Sequence, residues 1–304
     1  DALKIMQNSL GELEAQKDLL AIKESLNADK NAQKGKLIDI FKPSIRTVLI
    51  IGVVLAVLQQ ITGINSVFFY APMIFEQSGL GTDAAFSQAI LVGLTNLAFT
   101  VVAIGMIDKF GRKPLLIFGM IGIAISMLVL SYGFSSATYA IGEETMMEVA
   151  DDIPSSVFRN IQDITYESEA EFKTALALII DAKLLEKTES TIIRSSINLN
   201  ANLILFGIIA FVASFAVSIV PLMFLLFSDL FPNAVRAVAI SFVGFINSMT
   251  SFLVQLVFPW ELEFLGSSVT FLIYGVFAII GLLFVLKAVP ETKGKSLEEI
   301  EKQL

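Results

Sequence analysis

The sequence has no cysteine and no histidine among its 304 residues, and it has a single tryptophan. Without cysteine there can be no disulfide and no thiol nucleophile, and without histidine there can be no Ser–His–Asp triad. Any proton transfer would depend on carboxylates, because histidine is the side chain whose ordinary pKa lies near neutral pH. These absences argue against an enzyme and against a metal or other cofactor.

Charged residues are also scarce. They make up 16% of the chain, against 55% hydrophobic residues, and the mean hydropathy is +0.75. Soluble domains carry about a quarter charged residues, so the composition indicates a membrane protein. The net charge of −8 is concentrated in residues 135–198, where twelve acidic and five basic residues leave a local charge of −7. A charge so placed does not favour a nucleic-acid partner.

Six long apolar runs are present, each free of Asp, Glu, Lys and Arg over most of its length. About 20 apolar residues are needed for a helix to cross a bilayer core of ~30 Å. A single run is compatible with a soluble helical core, but six together are not. We therefore predict an all-α integral membrane fold. The predicted spans are Thr47–Phe75, Ala84–Ile107, Pro114–Phe134, Leu199–Ser228, Ala237–Phe258 and Phe264–Leu286.

Basic residues lie before the first span, between the second and third spans, between the fourth and fifth spans, and after the sixth span. The two opposite loops, Glu76–Asp83 and Pro259–Glu263, contain neither Lys nor Arg. By the positive-inside rule, both ends of the chain should be cytoplasmic. We expect a multi-pass protein of the cell (inner) membrane. Trp260 should then sit at the outer interface. The basic residues are Lys42, Arg46, Lys109, Arg112, Lys113, Arg236, Lys287, Lys293 and Lys295.

The segments outside the spans are assigned from the same orientation. Residues 1–46 are predicted to form cytoplasmic helices, and residues 288–304 a cytoplasmic tail. Residues 135–198 should be an acidic extracytoplasmic insertion with one amphipathic helix around Glu171–Arg194. The chain begins at Asp1 without an initiator methionine, and we expect a piece of a longer protein.

Polar residues are concentrated in the middle of the first span. On a regular helix Gln60 and Asn65 lie about 140° apart, so they can serve one site only if the helix unwinds. Gly63 and Pro72 indicate such unwinding, as seen in transporters. Amides both donate and accept hydrogen bonds, which suits a neutral polyhydroxyl ligand. The alternative is that they bond neighbouring helices together. The polar residues are Gln59, Gln60, Thr62, Gly63, Asn65, Ser66 and Tyr70.

The later spans are less informative. Asn96 in the second span, and Asn247 with Ser248 and Ser251 in the fifth, suit either the same cavity or helix packing. Pro221 should kink the fourth span, because proline cannot donate the hydrogen bond of a helix interior. Asp229 lies at the end of that span, where we expect it to pair with Arg112.

Four motifs, in order, resemble the signatures of one transporter family. The chain is similar to the sugar porters of the major facilitator superfamily, and most of all to their bacterial D-xylose:proton symporters. The motifs are Gln59–Pro72 (Q-Q-x-x-G-I-N-x-x-x-Y-Y-A-P), Asp108–Pro114 (D-x-x-G-R-R/K), Ser228–Arg236 (S-E-x-F-P-x-x-x-R) and Pro290–Gly294 (P-E-T-K-G).

The resemblance implies a fold and a function. Residues 47–134 would be spans seven to nine of a twelve-helix transporter, and residues 199–287 spans ten to twelve. Residues 1–46 would link them to an N-terminal six-helix half that this chain lacks. The implied activity is pentose or hexose transport by alternating access, coupled to protons through a carboxylate in that missing half.

Two sets of residues acquire roles from the resemblance. Positions matching the first set contact the sugar, and positions matching the second form a charge network that latches the two halves in the outward-facing state. The sugar contacts that the resemblance implies are Gln59, Gln60, Asn65 and Tyr70. Asn96 matches a family asparagine near the cavity, and we add it and Asn247, which could face the same cavity, as candidate substrate-binding residues. The charge network is Asp108, Gly111, Arg112, Asp229, Arg236 and Glu291.

The chain departs from the family at aromatic positions. Two tryptophans expected in the tenth span are absent from Ile219–Phe224, a Gln-Trp pair is replaced by Asn247–Ser248, and Phe69 stands for a tyrosine. One wall of the cavity therefore lacks the aromatic faces that stack on a sugar ring. Transport of another small polar solute, or a non-transporting sugar receptor on the same fold, remain alternatives.

Overall fold

The structure is a computed structural model that describes residues 36–76, 82–162 and 164–295. Most of the predicted 1–46 segment lies outside these ranges, as does the end of the predicted tail. In chain order the elements are a 3-10 helix Leu37–Phe41, α1 Pro43–Ile61, α2 Ile64–Glu76, α3 Thr82–Phe110, α4 Arg112–Ser135, β1 Thr138–Ala140, α5 Glu143–Glu148, a 3-10 helix Ser155–Asn160, β2 Thr165–Tyr166, α6 Glu169–Ile179, α7 Ala182–Ser196, β3 Ile197–Asn198, α8 Ala201–Val217, α9 Ile219–Leu230, α10 Arg236–Phe264 and α11 Gly266–Ala288.

The six predicted spans are confirmed. Within the described ranges, six helical segments are long and apolar enough to cross a membrane. The first consists of α1 with α2 and the fourth of α8 with α9, while α3, α4, α10 and α11 are continuous. We call the end of the bundle at Arg112 the basic end, and the end at Ser135 the insertion end.

The loop predicted at Pro259–Glu263 is wrong, because α10 continues through Pro259 to Phe264. Proline has no N–H, so it leaves the carbonyl oxygen of Gln255 without its helical partner. The hydroxyl of Tyr70 donates to that oxygen at 3.5 Å. The chain turns two residues after the end of α10, at Gly266, which has a φ of +76°.

The predicted kink of the fourth span is confirmed as a break at Ser218, between α8 and α9. Pro221 cannot donate to the carbonyl oxygen of Val217, four residues before it. At the break, the Ser218 N–H donates to the Phe215 carbonyl at 3.2 Å, and the Ser218 hydroxyl donates to the Ser214 carbonyl at 2.6 Å. The two serines face Gly119 and Gly122 of α4, where added Cβ atoms would overlap their side chains. Small residues thus let α4 and α8 approach closely, as is common in membranes.

The helices differ in how much of their apolar surface they bury against the rest of the chain. In the most apolar part of the first span 67% of residues are buried, whereas in α3 and α10 only 11% are. Large apolar side chains such as Leu97 (63% exposed) and Phe245 (61% exposed) cover these two helices. Such surfaces require either lipid or another protein surface.

The insertion folds as a small unit with its own core. Strand β1 pairs antiparallel with both β2 and β3, and the pairing of Thr138 with Asn198 joins the two ends of the insertion. The predicted all-α membrane fold is confirmed, and the insertion adds three short strands to its helices. The core consists of Ala137, Tyr139, Ile141, Val149, Ile153, Phe158, Ile161, Phe172, Leu176, Ile180 and Ile192.

The single amphipathic helix predicted around Glu171–Arg194 is also wrong. It is divided into α6 and α7 at Ile180, which is extended with φ −115° and ψ 138°. Asp181 then caps α7, since its carboxylate accepts a hydrogen bond from the N–H of Lys183 at 3.1 Å. Aspartate is a favoured N-cap residue, and the cap fixes a new helix start that hydrophobic spacing alone does not show.

Tyr139 should make the insertion sensitive to alkali. Its ring is 6% exposed and stacks on Phe172, and burial, followed by the charge of Glu169, raises the pKa of its phenol. An unfolded tyrosine ionises near pH 10. The buried, neutral Tyr139 therefore contributes fully to the free energy of unfolding below about pH 10. This contribution is lost as the pH rises through the pKa of Tyr139 in the folded protein.

We expect the insertion to be cleaved by subtilisin above about pH 10, and the Tyr139→Phe protein to resist cleavage to a higher pH. The matched control is Tyr132→Phe, at a side chain that is 67% exposed, which should behave as the wild type. Cleavage of Tyr139→Phe at the wild-type pH would show that another group controls the transition.

Candidate functional site

The first span is interrupted where the sequence predicts unwinding. Helix α1 ends at Ile61, and Gly63 has a φ of +87°, a left-handed conformation that favours glycine. Helix α2 then starts at Ile64. The break brings Asn65 back toward α1, and its amide Nδ2 donates to the Gln60 side-chain oxygen at 2.8 Å. Residues that a straight helix would separate therefore lie together.

Tyr274 of α11 packs directly on this break. A Cβ atom at Gly63 would overlap the Tyr274 ring, which is only 3% exposed. The Tyr274 hydroxyl donates to the Glu261 carboxylate at 2.8 Å, and the ring stacks on Phe258. A fixed aromatic ring therefore supports the left-handed residue.

Four amide side chains form a connected cluster between the first span and α10. Gln60 donates from Nε2 to the side-chain oxygen of Asn247 at 3.0 Å, and Asn247 donates from Nδ2 to the side-chain oxygen of Gln59 at 2.5 Å. Asn65 joins through Gln60. Gln59 and Gln60 are at most 9% exposed. We call Gln59, Gln60, Asn65 and Asn247 the amide cluster.

Two polar residues of α10 extend the amide cluster toward the insertion end. Asn65 also donates to the Ser251 hydroxyl oxygen at 2.7 Å, and Gln255 donates to the same oxygen at 2.8 Å. Gln255 was not among the predicted site residues. The spacing of Asn247, Ser251 and Gln255, four residues apart, was the available signal, because residues so spaced share one side of a helix. Tyr70 reaches this group through the Gln255 carbonyl.

The structure does not join Asn96 to the amide cluster. Asn96 lies on α3, and its backbone carbonyl accepts a hydrogen bond from Thr100 at 2.7 Å. Among the described residues its side chain makes no hydrogen bond to the amide cluster. A role for Asn96 in the cavity remains a prediction.

At the basic end, Glu291 binds the start of α4. Its two carboxylate oxygens accept hydrogen bonds from the N–H groups of Arg112 and Lys113, each at 3.1 Å. A carboxylate is favourable there because the first N–H groups of a helix are unpaired and carry partial positive charge. Gly111 has a φ of +89°, and a Cβ atom there would lie 2.9 Å from the Glu291 carboxylate. Glycine therefore allows this approach.

The expected pairing of Arg112 with Asp229 is confirmed. Arg112 Nε lies 3.3 Å from an Asp229 carboxylate oxygen, as an ion pair whose N–H is not aligned for a hydrogen bond. Thr292 donates to the same oxygen at 2.8 Å. Four members of the predicted charge network are therefore in contact, directly or through Thr292. We call Gly111, Arg112, Asp229 and Glu291 the charged cluster.

The other two members of the predicted network are not placed in the charged cluster. Arg236 donates from Nε to the Phe231 carbonyl at 3.0 Å. The Asp108 side chain lies outside the described part of the structure. Within that part, no group of three or more acidic residues is arranged to hold a metal ion.

The geometry allows the amide cluster to bind a neutral polar molecule. Its hydrogen bonds involve amides, one serine hydroxyl and one backbone carbonyl. An amide oxygen can accept two hydrogen bonds and an amide nitrogen can donate two. The cluster can therefore exchange internal hydrogen bonds for bonds to ligand hydroxyls without leaving a buried charge.

Comparison with known proteins agrees with this geometry. The sequence profile of a family described as "Sugar (and other) transporter" matches residues 1–149 and 173–304, so part of the insertion falls outside it. The arabinose-proton symporter of Bacillus subtilis is 30% identical over 302 residues, which are 99% of this chain and 52% of that protein. The D-xylose-proton symporter of Escherichia coli is 32% identical over 260 residues, covering 84% of this chain and 40% of that protein.

A solved structure leads to the same family. The proton:xylose symporter of the major facilitator superfamily, bound to 6-bromo-6-deoxy-D-glucose, matches with a TM-score of 0.65 and 30% identity, over 99% of this chain and 51% of its own. The chain thus spans about half the length of the relatives it matches. It is a multi-pass membrane protein and belongs to the sugar transporter family of the major facilitator superfamily.

Proposed function

We propose that this chain is the C-terminal half of a twelve-helix transporter that carries a pentose or hexose across the membrane by alternating access. The observation behind the proposal is the amide cluster, which the left-handed break at Gly63 assembles from α1, α2 and α10. Relatives named as arabinose- and xylose-proton symporters support the substrate class.

A sugar suits the amide cluster chemically. Each sugar hydroxyl can donate and accept, as can each amide side chain. Because Gln59 and Gln60 are nearly buried, a ligand that failed to replace their internal hydrogen bonds would leave buried polar atoms unpaired, at about 1–3 kcal/mol each. The site should therefore discriminate against ligands that lack hydroxyl groups.

The missing half would cover the apolar surfaces of α3 and α10. These two helices bury the smallest share of their residues within the chain.

We further propose that the basic end is cytoplasmic, that the insertion is extracytoplasmic, and that residues 1–46 link the two halves. In a bacterium the membrane would be the inner membrane.

The charged cluster is proposed to latch the halves together in the outward-facing state, with Asp108 and Arg236 as further members. Ion pairs made in one state and broken in another shift the balance between them. Glu291, from the segment after α11, already bonds the start of α4. A contact of this kind can transmit movement of α4 to the tail.

Proton coupling would depend on the missing half. The hydrogen bonds of the amide cluster involve no carboxylate, and the relatives are named as proton symporters. We propose symport in the full-length protein, with the proton carried by a carboxylate of the N-terminal half.

The Gln60→Ala change tests the sugar site. It removes two side-chain hydrogen bonds of the amide cluster and one hydrogen bond to the sugar. We expect the KM for sugar uptake by the full-length transporter to rise about five-fold or more, since a buried hydrogen bond is worth about 1 kcal/mol. The measurement is the initial rate of labelled xylose or arabinose uptake.

The matched control is Ser241→Ala, because the exposed Ser241 hydroxyl bonds the Ala237 carbonyl of its own helix. It should leave KM unchanged. An unchanged KM in Gln60→Ala would refute the assignment of Gln60 to the sugar site.

Transport of another small polar solute is a second candidate. The missing tryptophans at Ile219–Phe224 favour it, because sugar-binding sites commonly use aromatic faces. Competition of a solute panel against labelled xylose separates the two candidates. Sugars should compete best if the first proposal is right, and a non-sugar solute if the second is.

A further inference from the structure

Glu261 is a carboxylate near the break in the first span that has no part in the proposed function so far. It lies in the last turn of α10, two residues before Glu263. A negative charge is unfavourable there, because the last carbonyl groups of a helix carry partial negative charge. Glu263 is exposed to solvent, whereas Glu261 is half-buried. The Glu261 carboxylate therefore needs a stabilising contact from the tertiary structure.

That contact is the hydroxyl of Tyr274 on α11. It donates to the Glu261 carboxylate at 2.8 Å, and hydrogen bonds to a charged acceptor are stronger than those between neutral groups. The Tyr274 ring is 3% exposed and stacks on Phe258 with centroids 6.1 Å apart. The hydrogen bond and the stacking together fix both the position and the direction of the ring.

The fixed ring lies against the residue at which α2 begins to turn away from α1. The Tyr274 ring fills the space that a Cβ atom of Gly63 would occupy. Further along α2, the Tyr70 hydroxyl reaches the Gln255 carbonyl at 3.5 Å, which is long for a hydrogen bond. The contact at Gly63 therefore holds α2 more firmly than the contact at Tyr70.

Asn65, two residues after Gly63, is the member of the amide cluster that depends on this turn. Its amide donates to Gln60 at 2.8 Å and to Ser251 at 2.7 Å. Hydrogen bonds weaken steeply as their geometry worsens, so a shift of Gly63 would weaken both. Among the described residues, Glu261 itself makes no hydrogen bond to the amide cluster.

We infer that Glu261 is a positioning residue for substrate binding. Its carboxylate fixes Tyr274 against Gly63, and this packing keeps Asn65 in the geometry that binds the substrate. Without the hydrogen bond, only a fraction of the molecules would have Asn65 in place, and the affinity would fall in proportion to that fraction. The inference rests on the proposed sugar transport and adds a residue outside the amide cluster.

Glu261→Leu tests the inference, because it removes the acceptor of the Tyr274 hydroxyl. In the full-length transporter, the KM for uptake of labelled xylose or arabinose should rise about five-fold, the effect of one lost hydrogen bond, while kcat stays close to the wild-type value. Tyr274→Phe keeps the ring on Gly63 without the hydroxyl and should raise KM in the same way. Glu261→Gln keeps an acceptor oxygen and should restore a KM near that of the wild type. The matched control is Glu263→Leu, at the exposed carboxylate of the same turn, which should change neither KM nor kcat.

A double-mutant cycle identifies the route of the effect. If Glu261 acts through Asn65, Glu261→Leu should raise KM no further in a protein that already carries Asn65→Ala. If the two increases multiply instead, Glu261 affects the substrate by another route, and the inference is overturned.

The remaining outcomes separate the inference from the proposed function. A wild type that takes up sugar, with unchanged KM in both Glu261→Leu and Tyr274→Phe, would overturn the inference and leave sugar transport standing. A lower melting temperature with unchanged KM would give the pair a purely structural role and would also overturn it. If Glu261→Leu does not fold, the KM of Tyr274→Phe decides. If the wild type takes up no sugar, the proposed function fails, and the inference fails with it.

Discussion

Gly63→Ala is expected to remove most of the folded transporter and all of its uptake. The Gly63 φ of +87° costs an L-residue about 1–2 kcal/mol. The new Cβ would also overlap the Tyr274 ring, which cannot easily move because its hydroxyl binds Glu261 and its face stacks on Phe258. Overpacking of this kind costs about 1–3 kcal/mol more. The sum is a large part of the 5–15 kcal/mol that holds a typical domain folded. The melting temperatures of the purified wild-type and Gly63→Ala proteins measure this loss of stability.

The control for this change is Gly244→Ala. Gly244 lies inside α10, and no atom lies within 4 Å of an added Cβ. Alanine is the better helix former, so this variant should be as stable as the wild type or slightly more stable. Gly63→Ala combined with Tyr274→Leu should recover the part of the loss that comes from overlap. If Gly63→Ala and Gly244→Ala unfold at the same temperature, the tyrosine-supported break is not what stabilises the first span.

Glu291→Gln should reduce the rate of uptake with little change in KM. The carboxylate accepts hydrogen bonds from the N–H groups of Arg112, Lys113 and Lys293. Glutamine keeps one acceptor oxygen, and its NH₂ group would face a donor. The lost charge-assisted bond and the lost interaction with the start of α4 amount to about 2–3 kcal/mol. If about half of this free energy stabilises the state that the charged cluster holds together, its loss should lower kcat about ten-fold.

The KM distinguishes this effect from damage to the amide cluster. Glu291 lies at the basic end, beyond the hydrogen-bonded reach of Gln60 and Asn247, so sugar affinity should remain close to that of the wild type. Gly111→Ala should act in the same direction, because its Cβ would press on the same carboxylate. Glu263→Gln, at an exposed carboxylate of α10, is the control and should transport normally. A raised KM with normal kcat in Glu291→Gln would contradict a role in the latch.

The location of the membrane helices was predictable because it depends on local composition. A bilayer core needs a run of apolar residues whatever the run packs against, and Thr47–Phe75 or Phe264–Leu286 satisfies this by itself. The break in the first span was predictable for a related reason. Gly63 between Gln60 and Asn65 is a local signal, since glycine alone adopts the left-handed conformation at low cost. The kink near Pro221 followed from the missing N–H of proline.

Pro259 shows where such local reasoning fails. Proline followed by two acidic residues within five positions predicts a loop, yet α10 continues to Phe264. The orphaned Gln255 carbonyl is bonded by Tyr70, which is distant in sequence. Asp181 shows the opposite case in the insertion, where one N-cap divides a continuous apolar pattern into α6 and α7.

The amide cluster was predictable in part, since its residues could be named from the sequence but its hydrogen bonds could not. Gln59, Gln60, Asn65 and Asn247 could all be named from the sequence as polar residues within apolar spans, because burying an amide requires a partner. Their connections could not be named. A hydrogen bond depends on where two helices place their side chains, and Asn65 selects Gln60 and Ser251 only after α2 has turned at Gly63 and packed on α10. Asn96 has the same residue type in a similar span, yet among the described residues its side chain makes no hydrogen bond to the cluster. Composition and local backbone chemistry therefore determine which segments enter the membrane and where they break, whereas helix packing alone decides which polar groups meet.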